Sequence, residues 1–466
     1  MEPLDVTAAA GAVRAGEVSA RELVEDSIDR IDRGDGALNT FVHLDPDGAL
    51  AAADRIDGAR RRGEPLGPLA GVPFGVKDLE DCAGMPTTRG SRWYADGPPA
   101  SSDDLHVGRF RSAGAVPVGK TATPEFGAWG YTASPLLGVT RNPWDPTRTP
   151  GGSSGGTAAA VSAGFVPFGT ASDGGGSIRG PAASCGLPGL KPTYGRVPNF
   201  GTTRLAQNAV NFALATTVSD TALLLDVAAG PDPRDRTSHP PTGIRYTDAV
   251  EQLDVTGLRA TWSTDLGFVV VDPEVEQLAR AAAERLVTAA ALEGTDTDVQ
   301  FDDYILTYVF VEGADQFVGL PTGWADRLDE LDPLVVDSWR SSTQVTLVSA
   351  ARVEERRRLL EYRVAELFER TDVLLTPTNA CPPFAAGGPM PEEIGGRQCH
   401  AGHAALLTML ANLANLPAIS LPAGRTSDGL PVGLMVTAPR HREDLCLRLA
   451  RIWEQTNPWP RCAPPA

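Results

Sequence analysis

Lysine is almost absent from this 466-residue sequence, although cationic side chains are not. Of the 41 basic residues only Lys77, Lys120 and Lys191 are lysines, and all the others are arginines. Arginine replaces lysine as a cation, but it stays protonated near neutral pH, whereas a desolvated lysine can lose its proton. The three lysines are therefore candidates for base chemistry, with an ion pair or a carbonyl contact as the structural alternative for each.

Long apolar runs, a basic leader and clustered cysteines are also missing. No stretch reaches the roughly 18 apolar residues of a membrane-spanning helix, and no apolar run follows a basic N-terminal start. The six cysteines show no C-x-x-C spacing, so we expect reduced thiols rather than a disulfide framework. These absences predict a cytoplasmic protein without a membrane partner.

Positive charge is scarce as well, because 59 acidic residues outnumber 41 basic ones and give a formal net charge of −18. Such a surface repels phosphate backbones, and the arginine run at 356–358 lies among glutamates. We therefore expect no nucleic-acid partner. The 42% hydrophobic and 21% charged residues are typical of a globular chain. Its length allows several domains or one large α/β domain.

The order of local patterns indicates alternating helices and strands. Ser19 and Glu22 form a capping box in a helical N-terminal region over residues 1–60. From 66 to 200, short apolar runs alternate with Gly, Pro, Ser and Thr, as in buried strands joined by tight loops. Two further strands and two long helices are predicted at 268–271, 273–292, 345–370 and 372–376.

Two glycine-serine clusters are the strongest local signals, PGGSSGG at 150–156 and DGGGSIR at 173–179. Helix-compatible stretches follow both, which argues against a flexible linker, and neither continues into the Gly-Lys-Ser/Thr of a P-loop. Residues 151–155 match the G-x-S-x-G nucleophile elbow around Ser153. The prolines before this segment disfavour the buried strand that an elbow needs, but the alternative stays open.

A second interpretation joins both clusters to Lys77. A serine hydroxyl needs a base to become a nucleophile, and a neutral lysine can serve directly or through a second hydroxyl. Glycines 174–176 before Ser177 would let backbone N–H groups converge on a developing oxyanion. Because the lysine must be neutral to accept a proton, we expect it to be partly desolvated.

A metal site is the remaining possibility. Cys399, His400 and His403 have ligand-like spacing, but no fourth ligand is nearby and an apolar helix follows. Cys381 and Cys399 could equally line a pocket. We therefore expect neither a metal nor another cofactor.

Longer motifs resemble those of the amidase signature hydrolases and extend over nearly the whole chain. Besides the two clusters, the matching segments are 71–78 (GVPFGVKD), 84–88 (GMPTT), 119–121 (GKT), 142–144 (NPW), 189–196 (GLKPTYGR), 416–422 (LPAISLP) and 429–433 (GLPVG). One departure is Ser172, where the family usually has a threonine before the aspartate. We expect this difference to touch no reacting group.

The resemblance assigns roles by position. Ser177 would be the nucleophile, Ser153 a bridging serine in a cis peptide, and Lys77 the base that Ser154 supports by hydrogen bonding. The oxyanion hole would consist of the backbone N–H groups of Gly174, Gly175, Gly176 and Ser177. Lys120 and Lys191 fall outside this triad, which favours a structural role for both.

The resemblance also implies an α/β fold with a mixed sheet of about eleven strands flanked by helices. It would form a single domain over 1–466, with N-terminal helices at 1–60, the signature core at 66–200 and a variable pocket region at about 230–400. Family members often shape the substrate pocket near the aromatic segment 125–131, although its aromatic side chains could equally pack in the core. The predicted pocket residues are Gly127, Trp129, Tyr131 and Cys381.

The predicted function is a stand-alone hydrolase of amide bonds in small, fairly apolar molecules. The sequence is similar to 6-aminohexanoate cyclic-dimer hydrolases and other xenobiotic amidases, so carbamates, as for a urethanase, or esters are further candidate substrates. We expect a monomer or homodimer. One alternative is the glutaminase-like A subunit of a tRNA-dependent amidotransferase, which works in a multi-subunit complex. Another is a binding protein without chemistry, against which the intact Lys77, Ser153 and Ser177 argue.

Overall fold

The computed structural model describes residues 5–199, 207–318 and 323–464. Within these ranges the α-helices are α1 (Val6–Ala15), α2 (Ala20–Leu38), α3 (Pro46–Arg61), α4 (Leu105–Ser112), α5 (Gly155–Ser162), α6 (Arg179–Cys185), α7 (Val218–Ala228), α8 (Tyr246–Gln252), α9 (Pro273–Ala289), α10 (Ile305–Val318), α11 (Pro333–Ser342), α12 (Leu347–Arg370), α13 (Leu406–Leu413) and α14 (Glu443–Thr456). The strands are β1 (Phe41–Leu44), β2 (Pro73–Lys77), β3 (Val116–Thr121), β4 (Ala133–Ser134), β5 (Gly138–Val139), β6 (Phe168–Asp173), β7 (Gly189–Lys191), β8 (Val210–Ala215), β9 (Arg259–Trp262), β10 (Glu293–Thr295), β11 (Val373–Pro377), β12 (Glu393–Ile394), β13 (Arg397–Gln398), β14 (Ala418–Arg425) and β15 (Pro431–Thr437).

Two mixed sheets form the centre of the fold. A five-stranded sheet has the order β1-β3-β2-β6-β8, and a six-stranded sheet has the order β10-β9-β11-β15-β14-β7. Strand β7 contacts β8, so the two sheets adjoin. The α/β fold with about eleven strands and flanking helices is confirmed, and the strands divide between two hydrogen-bonded sheets.

Most helix boundaries follow their sequence signals. The capping box is confirmed, since Ser19 accepts from the Glu22 N–H while the Glu22 carboxylate accepts from the Ser19 N–H at 2.8 Å. Helix α9 begins at Pro273 after its N-cap Asp272. Helix α12 ends at Arg370 and leads directly into β11, as the amphipathic pattern predicts.

The predicted strand at 268–271 is wrong. A turn leads into this segment, and its central N–H, from Val270, donates to Nδ1 of His403 at 3.0 Å rather than to a neighbouring strand. Val269 and Val271 are nevertheless buried. A short apolar run reports burial, and burial alone does not distinguish a strand from an extended loop. The N-terminal region also contains an unpredicted strand, β1, which pairs antiparallel with β3.

The main apolar core extends through the molecule from Val6 in α1 to Trp453 in α14. A second, small cluster centres on α11, where Trp339 packs near Trp93 and Phe126. The single domain over 1–466 and its subdivisions stay a prediction. Across the described ranges, no helix has both the length and the apolar composition that crossing a membrane requires.

The topology brings the two glycine-serine clusters together. Strands β2 and β6 are parallel neighbours, with Phe74 opposite Phe168 and Gly75 opposite Gly169. The carboxyl ends of parallel strands meet at one edge of a sheet, and α/β proteins place their sites there. Lys77 ends β2, and the 173–179 cluster follows β6 at the same edge.

Candidate active site

Lys77 lies at the end of β2 with no exposed surface. Its Nζ is 2.9 Å from Ser153 Oγ, 2.8 Å from Ser154 Oγ and 2.9 Å from Ser172 Oγ. The expected desolvated lysine beside two serines is therefore present, and the amine sits among hydroxyl groups. The expectation that Ser172 touches no reacting group is wrong, since its hydroxyl is one of the three. A threonine would carry the same hydroxyl, so the family difference preserves this contact.

Ser153 and Ser154 lie in the loop that immediately precedes α5. The Gly152–Ser153 peptide bond is cis, as the resemblance implies. Ser154 Oγ donates to the backbone carbonyl of Ser172 at 3.2 Å, in addition to its contact with Lys77. The second hydroxyl of the cluster thus links the lysine to the end of β6.

Ser177 lies between β6 and α6, is partly exposed and lines a large cavity. Its carbonyl accepts from the Ser154 N–H at 3.3 Å, so the two serine loops are in direct contact. Within the described part of the chain, the Ser177 hydroxyl makes no hydrogen bond, including none to Ser153. The hydrogen bond between Lys77 and Ser153 is thus formed, whereas the one between Ser153 and Ser177 that a relay needs is not formed among the described residues.

A buried ion pair fixes the loop that carries Ser177. The Asp173 carboxylate contacts Arg179 Nη2 at 2.9 Å and Nε at 3.0 Å, and it accepts from the Gly176 N–H at 2.8 Å. Although burial acts to raise the pKa of Asp173, the Arg179 charge and these hydrogen bonds hold it well below the usual range. Because both ends of the loop bind one carboxylate, Asp173 is a positioning residue for Ser177.

Sequence analysis missed the partners that α13 supplies to this ion pair. Arg179 donates to the Thr408 carbonyl at 2.7 Å and to Asn412 Oδ1 at 2.6 Å. The Thr408 hydroxyl donates to the Gly175 carbonyl at 2.6 Å. A signal was available, since these two polar residues are four positions apart in the otherwise apolar helix LLTMLANL and therefore share one face.

Replacing Asp173 by asparagine is expected to lower the free energy of unfolding by about 3–5 kcal/mol, because it leaves Arg179 buried without its counter-ion. The urea midpoint measures this loss. Asp302→Asn is a matched control, since that carboxylate is 92% exposed in its pair with Arg363 and is worth about 1 kcal/mol or less. Because the folded pKa of Asp173 is lowered, the contribution is present above about pH 4 and is lost as the pH falls further. Equal midpoint shifts in both variants would contradict the structural role.

The backbone N–H groups of the predicted oxyanion hole differ in availability. The Gly176 N–H donates to Asp173. In the part of the chain that the structure describes, the N–H groups of Gly175 and Ser177 have no protein acceptor. The N–H groups of Gly175 and Ser177 are therefore available to a ligand, whereas that of Gly176 holds the loop.

Ser177 opens onto a cavity of about 990 Å³. Of the predicted pocket residues, Gly127, Trp129 and Cys381 line it. Tyr131 does not belong to the described lining; its ring packs edge-on against that of Phe384, which does, with the ring centroids 6.3 Å apart. Most of the remaining wall comes from α10, α11 and the 379–409 segment, which the sequence patterns alone did not connect to Ser177.

Position 127 requires glycine because its backbone lies close to Ser153 and has a left-handed conformation. Its φ of 73° lies in the left-handed region, and a Cβ there would lie 2.7 Å from Leu79 Cδ1 and 3.2 Å from Ser153 Oγ. Gly127, which lines the cavity, therefore packs directly against Ser153, the hydroxyl partner of Lys77. This position is sensitive to any side chain, whichever substrate is bound.

The other two lysines have structural environments. Lys120 Nζ donates to the Glu80 carbonyl at 2.7 Å and to Thr87 Oγ1 at 2.8 Å. Lys191 Nζ donates to the Pro192 carbonyl at 2.9 Å, and burial lowers the pKa of this lysine to about 7. Neither belongs to the described cavity lining. Their contacts favour the structural interpretation made from the sequence.

The histidine pair that suggested a metal site has other partners. His403 Nδ1 accepts from the Val270 N–H, and the two rings, His400 and His403, lie 4.2 Å apart. His400 is at the cavity mouth, where its Nε2 is 3.7 Å from Asp303 Oδ2. Among the described residues, no group of three or more His, Cys, Asp and Glu side chains is arranged to hold a metal. All six cysteines are free thiols.

Comparison with known proteins gives consistent matches over the whole length. The family model for amidases matches residues 22–320 and 326–447. An acylamidase of Rhodococcus erythropolis is 37% identical over 464 residues, which cover 98% of this chain and 96% of that protein. The A subunit of the glutamyl-tRNA(Gln) amidotransferase of Chloroflexus aurantiacus is 36% identical over 481 residues, which cover 98% of this chain and 97% of that protein.

Solved structures agree with these matches. A bacterial aryl acylamidase superposes with a TM-score of 0.91 at 27% identity, covering 98% of this chain and 97% of that chain. The 6-aminohexanoate cyclic dimer hydrolase complexed with substrate superposes with a TM-score of 0.87 at 29% identity, with the same coverage of 98% and 97%. Fold and relatives together define an enzyme that hydrolyses amide C–N bonds. The chain belongs to the amidase signature family.

Proposed function

We propose that this protein is a stand-alone serine hydrolase that cleaves amide bonds of small, fairly apolar molecules with a Lys77–Ser153–Ser177 triad. The observation that carries the proposal is the buried contact between Lys77 and Ser153, next to a Ser177 hydroxyl that faces the cavity. This arrangement supplies a base, a proton carrier and a nucleophile in that order. Carbamates and esters present the same carbonyl to Ser177 and are further candidate substrates.

The reaction is proposed to proceed through an acyl-enzyme. Neutral Lys77 takes the proton of Ser153, and Ser153 takes that of Ser177 as its oxygen attacks the substrate carbonyl. The N–H groups of Gly175 and Ser177 stabilise the oxyanion, and the relay returns the proton to the leaving amine. Water then attacks the acyl group on Ser177 along the same relay and releases the acid.

The cavity favours a hydrolase of neutral amides over a glutaminase. Its described lining contains no lysine or arginine, and it includes the carboxylate of Asp337. A glutamine substrate would bring a carboxylate into the cavity, and a desolvated carboxylate requires a cationic partner. The relatives include both an acylamidase and A subunits of amidotransferases, so they do not distinguish the two functions. The cavity lining is therefore the observation that favours the amide hydrolase.

Activity of the purified chain alone tests the proposal. We expect turnover of neutral anilides such as acetanilide without any added partner protein, and no glutaminase activity above background. Release of ammonia from glutamine that depends on a co-purified partner, with no anilide turnover, would instead support the amidotransferase alternative.

The pH dependence of kcat should show the deprotonation of the proposed base, Lys77. We expect kcat to rise from acid through neutral pH toward an alkaline plateau, with an apparent pKa well below the roughly 10.4 of free lysine. Lys77 must be deprotonated before it can accept a proton, and burial disfavours its charged form. Initial rates measured across this pH range on one anilide give the apparent pKa directly.

Histidine and metal controls complete this measurement. The rising limb is expected at the same pH in His400→Ala and His403→Ala, because the relay contains no histidine. Incubation with EDTA should leave the rate unchanged. A limb that disappears with either histidine, or activity lost to EDTA and restored by zinc, would reject the lysine base.

A further inference from the structure

Four large apolar side chains line the active-site cavity and are also open to solvent. They are Leu306, Val309 and Phe310 of α10, which are 59%, 49% and 40% exposed, and Leu334 of α11, which is 44% exposed. We call these four residues the apolar rim. Because the same side chains contact both the cavity and bulk water, the rim continues the apolar wall of the cavity onto the surface.

The apolar surface extends further at the start of α12. Leu347 and Val348 are 88% and 64% exposed, and they lie in the chain between Val345 and Ser349, which both line the cavity. Helix α12 therefore begins near the cavity with its first two residues, both apolar, exposed. Contiguous apolar residues of this kind on a surface mark an interaction site, and their continuity with the active-site cavity favours a ligand of that cavity as the occupant.

Folding does not explain the rim. Helix α11 has its own buried face, formed by Val335, Val336 and Trp339 in the small cluster. Its Leu334 points away from this cluster toward the cavity and solvent. An exposed leucine does not gain the free energy that burial would supply. The exposure of Leu334 therefore does not stabilise the fold within the described chain.

The charges around the rim restrict the occupant. Asp337 is the carboxylate of the described cavity lining, and His400 lies beside a second carboxylate, Asp303. An anionic group at the end of the bound molecule would meet these carboxylates without a lysine or arginine to pair with. A charge of either sign lying on the rim would face only apolar side chains, so we expect the part of the occupant that contacts the rim to be uncharged.

We propose that the substrate's amide carries an extended, uncharged alkyl or arylalkyl group that runs from Ser177 through the cavity and lies on the apolar rim. This inference rests on the proposed amide hydrolase function and makes its substrate class more specific. A ligand that ended inside the cavity would leave the rim in water, whereas an elongated one covers it. Each methylene added over the rim should raise kcat/KM by about two- to fourfold, as expected for apolar surface removed from water.

The test compares chain lengths on both sides of the scissile bond. One series contains the acetyl, hexanoyl and decanoyl p-nitroanilides, and the other contains N-butyl and N-decyl acetamides. In the wild type, kcat/KM is expected to rise with chain length in at least one series. A flat dependence in both series, with clear turnover of the short members, would overturn the inference while leaving the proposed function standing.

A matched pair of variants separates the rim from general surface effects. Leu306→Gln removes a rim residue, and Leu359→Gln removes a leucine of α12 that is equally exposed at 59% and does not belong to the described lining. Both changes keep a good helix former on a helix surface. In Leu306→Gln the ratio of kcat/KM for the long substrate to that for the short one should fall about tenfold, while Leu359→Gln should leave both values unchanged.

The same experiments also show whether something other than the substrate covers the rim. If sedimentation shows a dimer that Leu306→Gln dissociates, with an unchanged chain-length ratio, the rim is an interface between copies and the inference is overturned. If the chain turns over none of these amides, the proposed function fails, and the inference fails with it. Equal losses for short and long substrates in Leu306→Gln would also contradict an extended binding surface.

Discussion

Replacing Ser177 by alanine is expected to reduce kcat by about 10⁴-fold or more, because the change removes the attacking oxygen and leaves only binding and oxyanion stabilisation. The fold should be unaffected. In the described structure the Ser177 hydroxyl makes no hydrogen bond, so its removal breaks no contact and leaves no buried polar group unpaired. Rates on one anilide and the urea midpoint of the same preparation measure both expectations.

A second serine of the cavity provides the control for this variant. Ser341 also lines the cavity, but its hydroxyl donates to the Asp337 carbonyl at 2.9 Å on the surface of α11. Ser341→Ala should retain most of the activity. Residual activity within about tenfold of wild type in Ser177→Ala would exceed what a lost nucleophile allows. That result would move the nucleophile to Ser153 and revive the nucleophile-elbow interpretation.

A covalent label gives an independent readout of the nucleophile. A fluorophosphonate reacts with an activated serine to form a phosphonyl ester, with loss of fluoride, and mass spectrometry locates the modified peptide. We expect the label on the peptide that contains Ser177, and none in Ser177→Ala. Labelling of Ser153 in the wild type would contradict the proposed order of the relay.

The sequence predicted the parts of the site that lie in continuous motifs. Lys77 ends an apolar run with strand character, and Ser153 and Ser177 each lie in a glycine-rich loop followed by a helix, so local patterns placed all three. That the three act together was a chemical hypothesis, to which the family resemblance added the roles, and their meeting at one sheet edge was not predicted. The parallel pairing of β2 with β6 that produces it has no local signature.

Contacts between distant segments were not predictable in the same way. Asn412 donates to Asp173 Oδ1 at 3.0 Å across 239 residues of sequence, and α10 and α11 form the cavity wall opposite the serine loops. The predicted strand at 268–271 failed for a related reason, because its central N–H pairs with His403 rather than with a strand. Periodicity reports which side chains are buried, but it does not identify the partner that buries them.

The final prediction concerns Lys77 and compares two substitutions, by arginine and by alanine. They differ in charge, but both remove the base. Lys77→Arg should be as inactive as Lys77→Ala, because a guanidinium is not deprotonated at any working pH and so cannot accept the Ser153 proton. Arginine has the positive charge of a protonated lysine and still carries N–H donors for Ser154 and Ser172, so the variant keeps electrostatic and hydrogen-bonding roles while it loses the ability to accept a proton. Fluorophosphonate labelling rates complement kcat, since both require an activated Ser177. Substantial turnover in the arginine variant would show that Lys77 acts through its charge, and the proposed relay would then be wrong.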